Sequence, residues 1–307
     1  MTRNIFDTII IGGSIAGLSA ALTLARSIKN VAVIDSQNPC NFNVLKSFNF
    51  STNDGKDPSQ IINSVKDEIA KYNSVQFFVD EVEIVKSIGN LFEIQTKFSG
   101  KFSAKSILIA TGLRDVLPKI PGIEDCWGIS VLSCPYCHGY EARNQKTAVY
   151  ANGDAAHDLS ILLTNWTQNL LVLTDGKSEL SEFQTAELKI RNIEIIETEI
   201  DSLIHTDGNL SQINFTDGKS LKIPIMYASV PFEQKSNFAE QLGLELTESG
   251  HIYVDATFRT SMPNVYAAGD CTAQHRALSV ASASGSVAGF TINQDFVDNV
   301  HKEFIKF

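Results

Sequence analysis

The chain has 307 residues, 43% of them hydrophobic and 20% charged, with a formal net charge of −10 at pH 7. That length exceeds what one hydrophobic core ordinarily serves, so two domains are expected, and the acid excess sets a repulsive field before any phosphate backbone, which argues against nucleic acid as a partner. No uninterrupted apolar run approaches the roughly 20 residues that a bilayer span requires, and FDTIIIGGSIAG carries an acid and glycines where a signal peptide would carry an apolar block, so a cytoplasmic protein without a membrane partner is expected.

Near the N-terminus, DTIIIGGSIAGLSAALTLARSIKNVAVIDS predicts strand, glycine turn, helix and strand: an apolar run from Ile9 to Ile11, a turn from Gly12 to Gly17, an alanine-rich helix, then Val31 to Ile34 and Asp35. This is a dinucleotide fingerprint with one departure. Gly12 suits the tight turn, Gly17 lets helix and strand approach, and bare N–H groups at the helix N-terminus suit a pyrophosphate, while Ser14 replaces the middle glycine. Asp35, 23 residues after Gly12, ends the second strand, where a carboxylate accepts hydroxyl protons from an adenosine ribose.

Next, DPSQIINSVKDEIAKY predicts an amphipathic helix opened by proline, and VQFFVDEVEIV, LFEIQT and KFSAKSILIA predict strands ending at Ala110, Thr111 and Gly112. Proline and glycine in LPKIPGIEDCWG mark a linker near residues 115–122.

SCPYCHGYE, from Ser133 to Glu141, holds two cysteines with a histidine behind them. Structural zinc normally takes four ligands, commonly from two separated pairs, and one pair is present, so no metal is expected. A structural disulfide closing so small a loop gains little in a reducing compartment, and five cysteines, at 40, 126, 134, 137 and 271, are too sparse for a disulfide scaffold. A redox pair explains more. At a helix start the first thiolate, Cys134, is stabilised by free N–H groups, and Cys137, one turn on, can attack a mixed disulfide. A histidine ordinarily titrates near neutrality, so His138 can move the proton that each exchange step needs, with a surface or hydrogen-bonded structural histidine as the alternative.

A second nucleotide unit appears on a shift of 139 residues: KTAVYANGDAAHDLSILLTNWTQNLLVLTDG sets Ala151, Gly153 and Ala156 over Gly12, Ser14 and Gly17, with Thr147 over Thr8 and Asn169 over Asn30. Thr174 stands where Asp35 stood, and Lys177 is the cation nearby, so NADPH, NADH and no nicotinamide are all open. The stretch from Ile193 to Val230 then reads as strands with DGN and DGK turns, and short strands lead from Gly243 to Cys271. A long small-residue helix, RALSVASASGSVAGFTINQDF, follows from Arg276. Cys40, Cys126 and Cys271 read as small packed residues, and Trp127, Trp166 and the aromatic tail HKEFIKF as core or interface packing.

GGSIAG, Asp35, ILIATG, SCPYCHGYE, NVYAAGD and HRAL stand in the order seen in low-molecular-weight thioredoxin reductases, the class II pyridine nucleotide-disulfide oxidoreductases, which the chain resembles over essentially its whole length. The resemblance implies an α/β fold of two Rossmann-like (three-layer ββα) nucleotide-binding domains. A discontinuous FAD-binding domain would take residues 1–117 and 245–307, and an NAD(P)H-binding and redox-disulfide domain residues 118–244. Gly12, Ser14 and Gly17 would approach the FAD pyrophosphate, and Asp35 the ribose. Val82 would flank the adenine, Asn49 would lie near the flavin, and Thr111 and Gly112 would line the cofactor. Asp270 would bind the ribityl chain, and the helix starting at Arg276 and Ala277 would point at the flavin pyrimidine. Gly153, Ala156 and Lys177 would serve NAD(P)H. Cys137 would face the flavin and Cys134 the outside disulfide, in a homodimer whose partner is a thioredoxin-like protein disulfide or a small-molecule dithiol or disulfide.

Two departures bear on the direction of electron flow. Thioredoxin reductases usually carry an acid after the second cysteine and an arginine-rich segment after the second Rossmann strand, where this chain has His138 and TDGKSEL. Both are closer to the CxxCH dithiol oxidases of the gliotoxin and holomycin type, which close a small dithiol and return electrons to oxygen. The intact second unit favours a thioredoxin-reductase-like enzyme, with the oxidase as the alternative and an inactive flavin-binding protein as a third reading.

Overall fold

The computed structural model describes residues 5–40 and 43–305, so the end of the aromatic tail lies outside the described residues. In chain order the elements begin β1 (Ile5–Ile11), α1 (Ile15–Arg26), β2 (Val31–Asp35), α2 (Pro58–Ile69), β3 (Val75–Val79), β4 (Val82–Ile88), β5 (Leu91–Thr96), β6 (Lys101–Ile109) and β7 (Leu113–Asp115). Then come α3 (Ile123–Cys126), β8 (Val131–Leu132), α4 (Pro135–Ala142), β9 (Thr147–Tyr150), α5 (Gly153–Leu163), β10 (Leu170–Leu173), α6 (Glu182–Ile190) and β11 (Glu194–Ile196). The chain closes with β12 (Ile200–Thr206), β13 (Asn209–Phe215), β14 (Ser220–Lys222), β15 (Ile225–Ala228), β16 (Phe232–Gln234), α7 (Phe238–Leu242), β17 (Val265–Ala267) and α8 (Leu278–Ile305).

Two compact units result, one of Met1–Phe42, Asn49–Arg114 and Glu233–Phe307, the other of Asn43–Phe48 and Asp115–Phe232. In the first, β3, β2, β1, β6 and β17 form a parallel sheet in that order. β6 is long enough to serve twice: its first half pairs antiparallel with β5, which pairs with β4, while Ile107–Ile109 pair with β17. In the second unit β11, β10, β9, β15 and β8 form an all-parallel sheet, and β12, β13 and β14 an antiparallel one. Both units are thus Rossmann-like α/β folds, each with its antiparallel excursion.

The shift of 139 residues holds at the level of single hydrogen bonds. Thr8 N and Thr147 N donate to Asn30 O and Asn169 O, and Gly12 N and Ala151 N donate to Ile34 O and Leu173 O. The parallel strands are apolar runs because both faces are covered: Ile9, Ile11 and Ile107 pack on one side of the first sheet with Phe92 and Ile252, and Ile10, Val33 and Leu108 on the other with Leu18, Leu24 and Ile292. The small residues of α8 also acquire a reason. A Cβ on Gly285 would stand 2.0 Å from Ala16 O, and one on Gly289 2.8 Å from Thr23 Cβ, so the two helices meet backbone to backbone.

Three boundaries differ from the sequence reading. The second unit runs Asp115–Phe232 where 118–244 was expected, because Phe238, Ala239 and Leu244 are buried in the core of the first unit. The run VQFFVDEVEIV is two strands, since buried Asp80 breaks it by taking N–H groups from Glu81, Phe98 and Ser99 at 2.8, 3.1 and 2.7 Å. The last helix begins at Leu278, so Arg276 and Ala277 precede it, and Ala277 O accepts from Ala281 N at 2.9 Å.

Candidate functional site

In the first unit the carboxyl ends of β2, β1, β6 and β17 deliver Asp35, Gly12, Ala110 to Gly112, and Gly269 to Asp270 along one sheet edge, the position at which open α/β sheets bind ligands. The turn is as tight as its glycines allow. A Cβ on Gly12 (φ 111°) would lie 2.3 Å from Ala110 O, and one on Gly17 2.0 Å from Gly12 O. Gly13 has the same constraint from another direction: its Cβ would sit 2.9 Å from Asp35 Oδ2, so the carboxylate lies directly against bare backbone. Ser14 caps α1 with no side-chain hydrogen bond, which leaves the first-turn N–H groups for an anion. This cradle fits the diphosphate and ribose of FAD. Further along, Thr111 Oγ1 lies 3.2 Å from Ser236 Oγ, and Gly112 (φ 72°) takes Lys235 N at 3.4 Å. Arg276 Nε stands 3.6 Å from Asp270 Oδ2, while Asn49 is left-handed (φ 58°) with its N–H on Asp54 Oδ1 at 2.8 Å. Val82 begins β4.

The corresponding turn of the second unit carries a side-chain clasp. Asn152 Oδ1 accepts from Gly153 N at 2.9 Å and from Glu179 N at 2.8 Å, and its Nδ2 donates to Lys177 O at 2.9 Å. One side chain therefore clasps the β9–α5 turn to the loop after β10. Asp154 lies in the first turn of α5, accepting from Gln184 Nε2 at 2.7 Å, and Glu179 Oε2 is 3.8 Å from where a Gly153 Cβ would be. Thr174 donates its hydroxyl to Gly176 O at 2.7 Å, and Asp175 is spent on Ile200 N at 2.7 Å and Tyr150 OH at 3.1 Å. Of the three expected nicotinamide residues, Ala156 is fully buried in the core, Gly153 has given its N–H to Asn152, and Lys177 contributes its carbonyl to the clasp.

The cysteine pair lies where the spacing predicts it. Cys134 is the N-cap of α4 and Pro135 occupies the first helical position, as proline can because that N–H has no intrahelical partner. Cys137 N donates to Cys134 O at 3.2 Å, which folds the motif into its first turn and sets the two sulfurs 2.7 Å apart, the Cys137 thiol donating to Cys134. Gly139 is fixed by packing: a Cβ there would lie 2.7 Å from the Trp166 indole, which underlies α4 and meets Tyr136 edge-on at 5.7 Å. His138 packs edge-on against Phe48 at 6.1 Å. Burial holds its imidazole below the ordinary pKa, against the opposing charge of Glu141, so the ring is a neutral proton acceptor at pH 7. Cys126 and Cys271 are buried, and burial pushes the Cys271 thiol up to about 12, so neither is a reactive thiolate. No group of side chains among the described residues could hold a metal ion.

Residues 6–286 match the pyridine nucleotide-disulphide oxidoreductase family. The chain belongs to that family. It is 30% identical over 302 residues to the thioredoxin reductase tcpT of Claviceps purpurea, covering 94% of this chain and 93% of that one. Among solved structures, the putative thioredoxin reductase TrxB of Bacillus anthracis superposes with a TM-score of 0.92 at 34% identity, covering 96% of this chain and 99% of the other. HlmI superposes with a TM-score of 0.93 at 28% identity, covering 100% and 97%. The protein is thus a thioredoxin-reductase-like oxidoreductase of two Rossmann-like domains.

The sequence reading missed four residues. Gly13 was legible as the second of two glycines, and Asn152 as a capping residue before Gly153. Lys235 and Ser236 carry no local signal, because they reach the first unit only through the fold.

Proposed function

We propose that the protein is an FAD-dependent dithiol–disulfide oxidoreductase that runs in the oxidative direction, joining two thiols of a small molecule into a disulfide at the expense of dioxygen, which becomes hydrogen peroxide. The observation that carries the direction is the Asn152 clasp. It occupies Gly153 N, one of the N–H groups at the start of α5 that a nicotinamide dinucleotide's pyrophosphate would use, and Asp154 and Glu179 add negative charge beside it. The first turn, by contrast, keeps its donors and its ribose carboxylate, Asp35. FAD, when bound, supplies the two-electron relay between the reduced cysteine pair and dioxygen.

The chain's own residues account for the sulfur chemistry. A substrate thiolate attacks the Cys134 sulfur of the Cys134–Cys137 disulfide, breaking that bond and releasing Cys137 as thiolate. The second substrate thiol gives its proton to neutral His138 and displaces Cys134, which leaves as thiolate while the substrate disulfide closes. Cys137 is then the member that would pass electrons to a bound flavin. Asp35 and the turn from Gly12 to Gly17 would hold the adenosine diphosphate half of FAD, and Asp270, Arg276 and Ala277 the flavin half.

A second reading has NAD(P)H as donor and a thioredoxin-like protein disulfide as acceptor. The intact frame of β9, α5 and β10 supports it. Under either reading we place the protein in the cytoplasm as a homodimer.

The test is oxygen consumption with dithiothreitol as the small dithiol. One hydrogen peroxide per disulfide is expected, lost in both Cys134→Ser and Cys137→Ser, with the long-wavelength thiolate-to-flavin band kept in Cys134→Ser and lost in Cys137→Ser. Purified protein whose bound flavin stays oxidised under excess dithiol, NADPH and NADH alike would overturn both readings in favour of an inactive flavoprotein.

A further inference from the structure

Lys235 lies in the first unit, just beyond β16, where the chain re-enters that fold. Its position is set from three sides. Its backbone N–H reaches Gly112 O at 3.4 Å, and the next residue, Ser236, lies 3.2 Å from Thr111 Oγ1, so the segment is laid on the turn that ends β6. The preceding side chain, Gln234, anchors it from behind, with Nε2 donating to Gly250 O at 2.9 Å and to Cys271 O at 3.0 Å.

The ammonium so placed is half-buried and, among the described residues, makes no side-chain hydrogen bond or ion pair. Burial holds its pKa below the usual lysine value, while the charges of Cys40, Asp35 and Glu81 act the other way. Asp35 is the carboxylate assigned to the ribose under the proposed function, and Glu81 directly precedes Val82. Lys66 is the cation that approaches Asp35, at 4.0 Å, on the side of α2. Lys235 therefore pays for partial desolvation without the partner that ordinarily offsets it. Through Gly112 and Thr111 it is laid at the carboxyl end of β6, on the sheet edge that also carries Gly12 and Ser14. A dianionic diphosphate is the chemistry that this sheet edge is built for, and it is the ligand that would satisfy an otherwise unpaired ammonium.

We infer that Lys235 is a cofactor-binding residue, pairing with the diphosphate of the adenosine diphosphate moiety of FAD. This rests on the first unit being the FAD site, and it adds a cation that neither the glycine fingerprint nor Asp35 supplies. It also gives the return segment a task. The chain comes back from the second unit carrying a charge for the cofactor, held in place by Gln234 and Ser236.

The test uses apoprotein prepared from the full chain and titrated with FAD, ADP and adenosine, followed by intrinsic fluorescence and calorimetry. Lys235→Met weakens FAD and ADP by about tenfold or more, as loss of a charge-assisted pair requires, leaves adenosine unchanged, and lowers the salt dependence of ADP binding. Lys235→Arg retains most of the affinity. Equal FAD and ADP affinities in wild type and Lys235→Met, or a loss shared by adenosine, would overturn the assignment. Wild-type apoprotein that binds no FAD would instead overturn the reading of the first unit. A cooperative melting transition of Lys235→Met coincident with that of wild type shows that the fold is intact, as for an ordinary surface substitution, and a collapsed variant is replaced by Lys235→Gln in the same titration.

Discussion

The two nucleotide folds keep the same frame and part company at one turn. Gly12 and Ala151 make the same strand-end hydrogen bond, yet a Cβ on Gly13 would strike Asp35, whereas Asn152, its counterpart, turns its amide across to Lys177 and Glu179. The Rossmann frame is the same in both units because its stability lies in the sheet and its two apolar faces. The difference lies at the helix start, where the Asn152 side chain takes one N–H group, that of Gly153.

The largest expected effect comes from breaking the first turn. Gly17→Val drives a branched side chain into Gly12 O, which a Cβ alone would meet at 2.0 Å. It should cost about 3 kcal/mol, and flavin retention with it, read from the ratio of flavin to protein absorbance and from melting. The mirror substitution, Ala156→Gly, should cost about 2 kcal/mol through lost helix propensity and one buried methyl, with flavin content unchanged. Equal flavin loss in both would erase the contrast.

Opening the clasp sharpens it further. Asn152→Gly removes three hydrogen bonds and should cost about 1–2 kcal/mol, while flavin reduction by NADPH or NADH speeds up by about tenfold. An unchanged nicotinamide rate would mean that the clasp is not what closes the second fold.

A smaller effect tests the sulfur chemistry. With His138 held below its usual pKa by burial, dithiol exchange should rise with pH through a value under 6.5 and stay level through neutrality. His138→Gln should slow exchange about a hundredfold and flatten that limb. An unaltered pH profile would return His138 to a packing role.

The smallest concerns Asp80, which shapes the corner before Val82. Burial alone would raise its pKa, but hydrogen bonds from the side chain and N–H of Ser99, the Thr96 side chain and the Glu81 N–H outweigh that and hold the carboxyl well below the usual range. Because the folded value is depressed, the stabilisation is present above about pH 4 and lost as pH falls. Asp80→Asn should cost about 1–3 kcal/mol at pH 7 and lose less on acidification than wild type. Parallel acid profiles would contradict this.

What the sequence disclosed follows how local each cause is. The 139-residue repeat was legible because equal strand, turn and helix lengths are needed to repeat the same hydrogen bonds, and the CxxC helix start because Cys134 and Pro135 are adjacent cap and first-turn residues. The start of α8 was misplaced by two residues because nothing in HRAL distinguishes a loop end from a first turn. The return at Glu233 was missed because it depends on Phe238 finding the first unit's core, and the clasp because Asn152 and Glu179 are 27 residues apart. Lys235 was illegible for the same reason: its backbone partner, Gly112, lies far off in sequence at the end of β6.

The central claim is that electrons enter at sulfur. Anaerobic stopped-flow mixing of the oxidised holoprotein with dithiothreitol, NADPH and NADH in turn tests it most directly. The dithiol should bleach the flavin band at least about tenfold faster than either nicotinamide, and Cys134→Ser should abolish the dithiol phase. Rapid bleaching by NADPH or NADH, unaffected by Cys134→Ser and faster than any dithiol phase, would contradict the account.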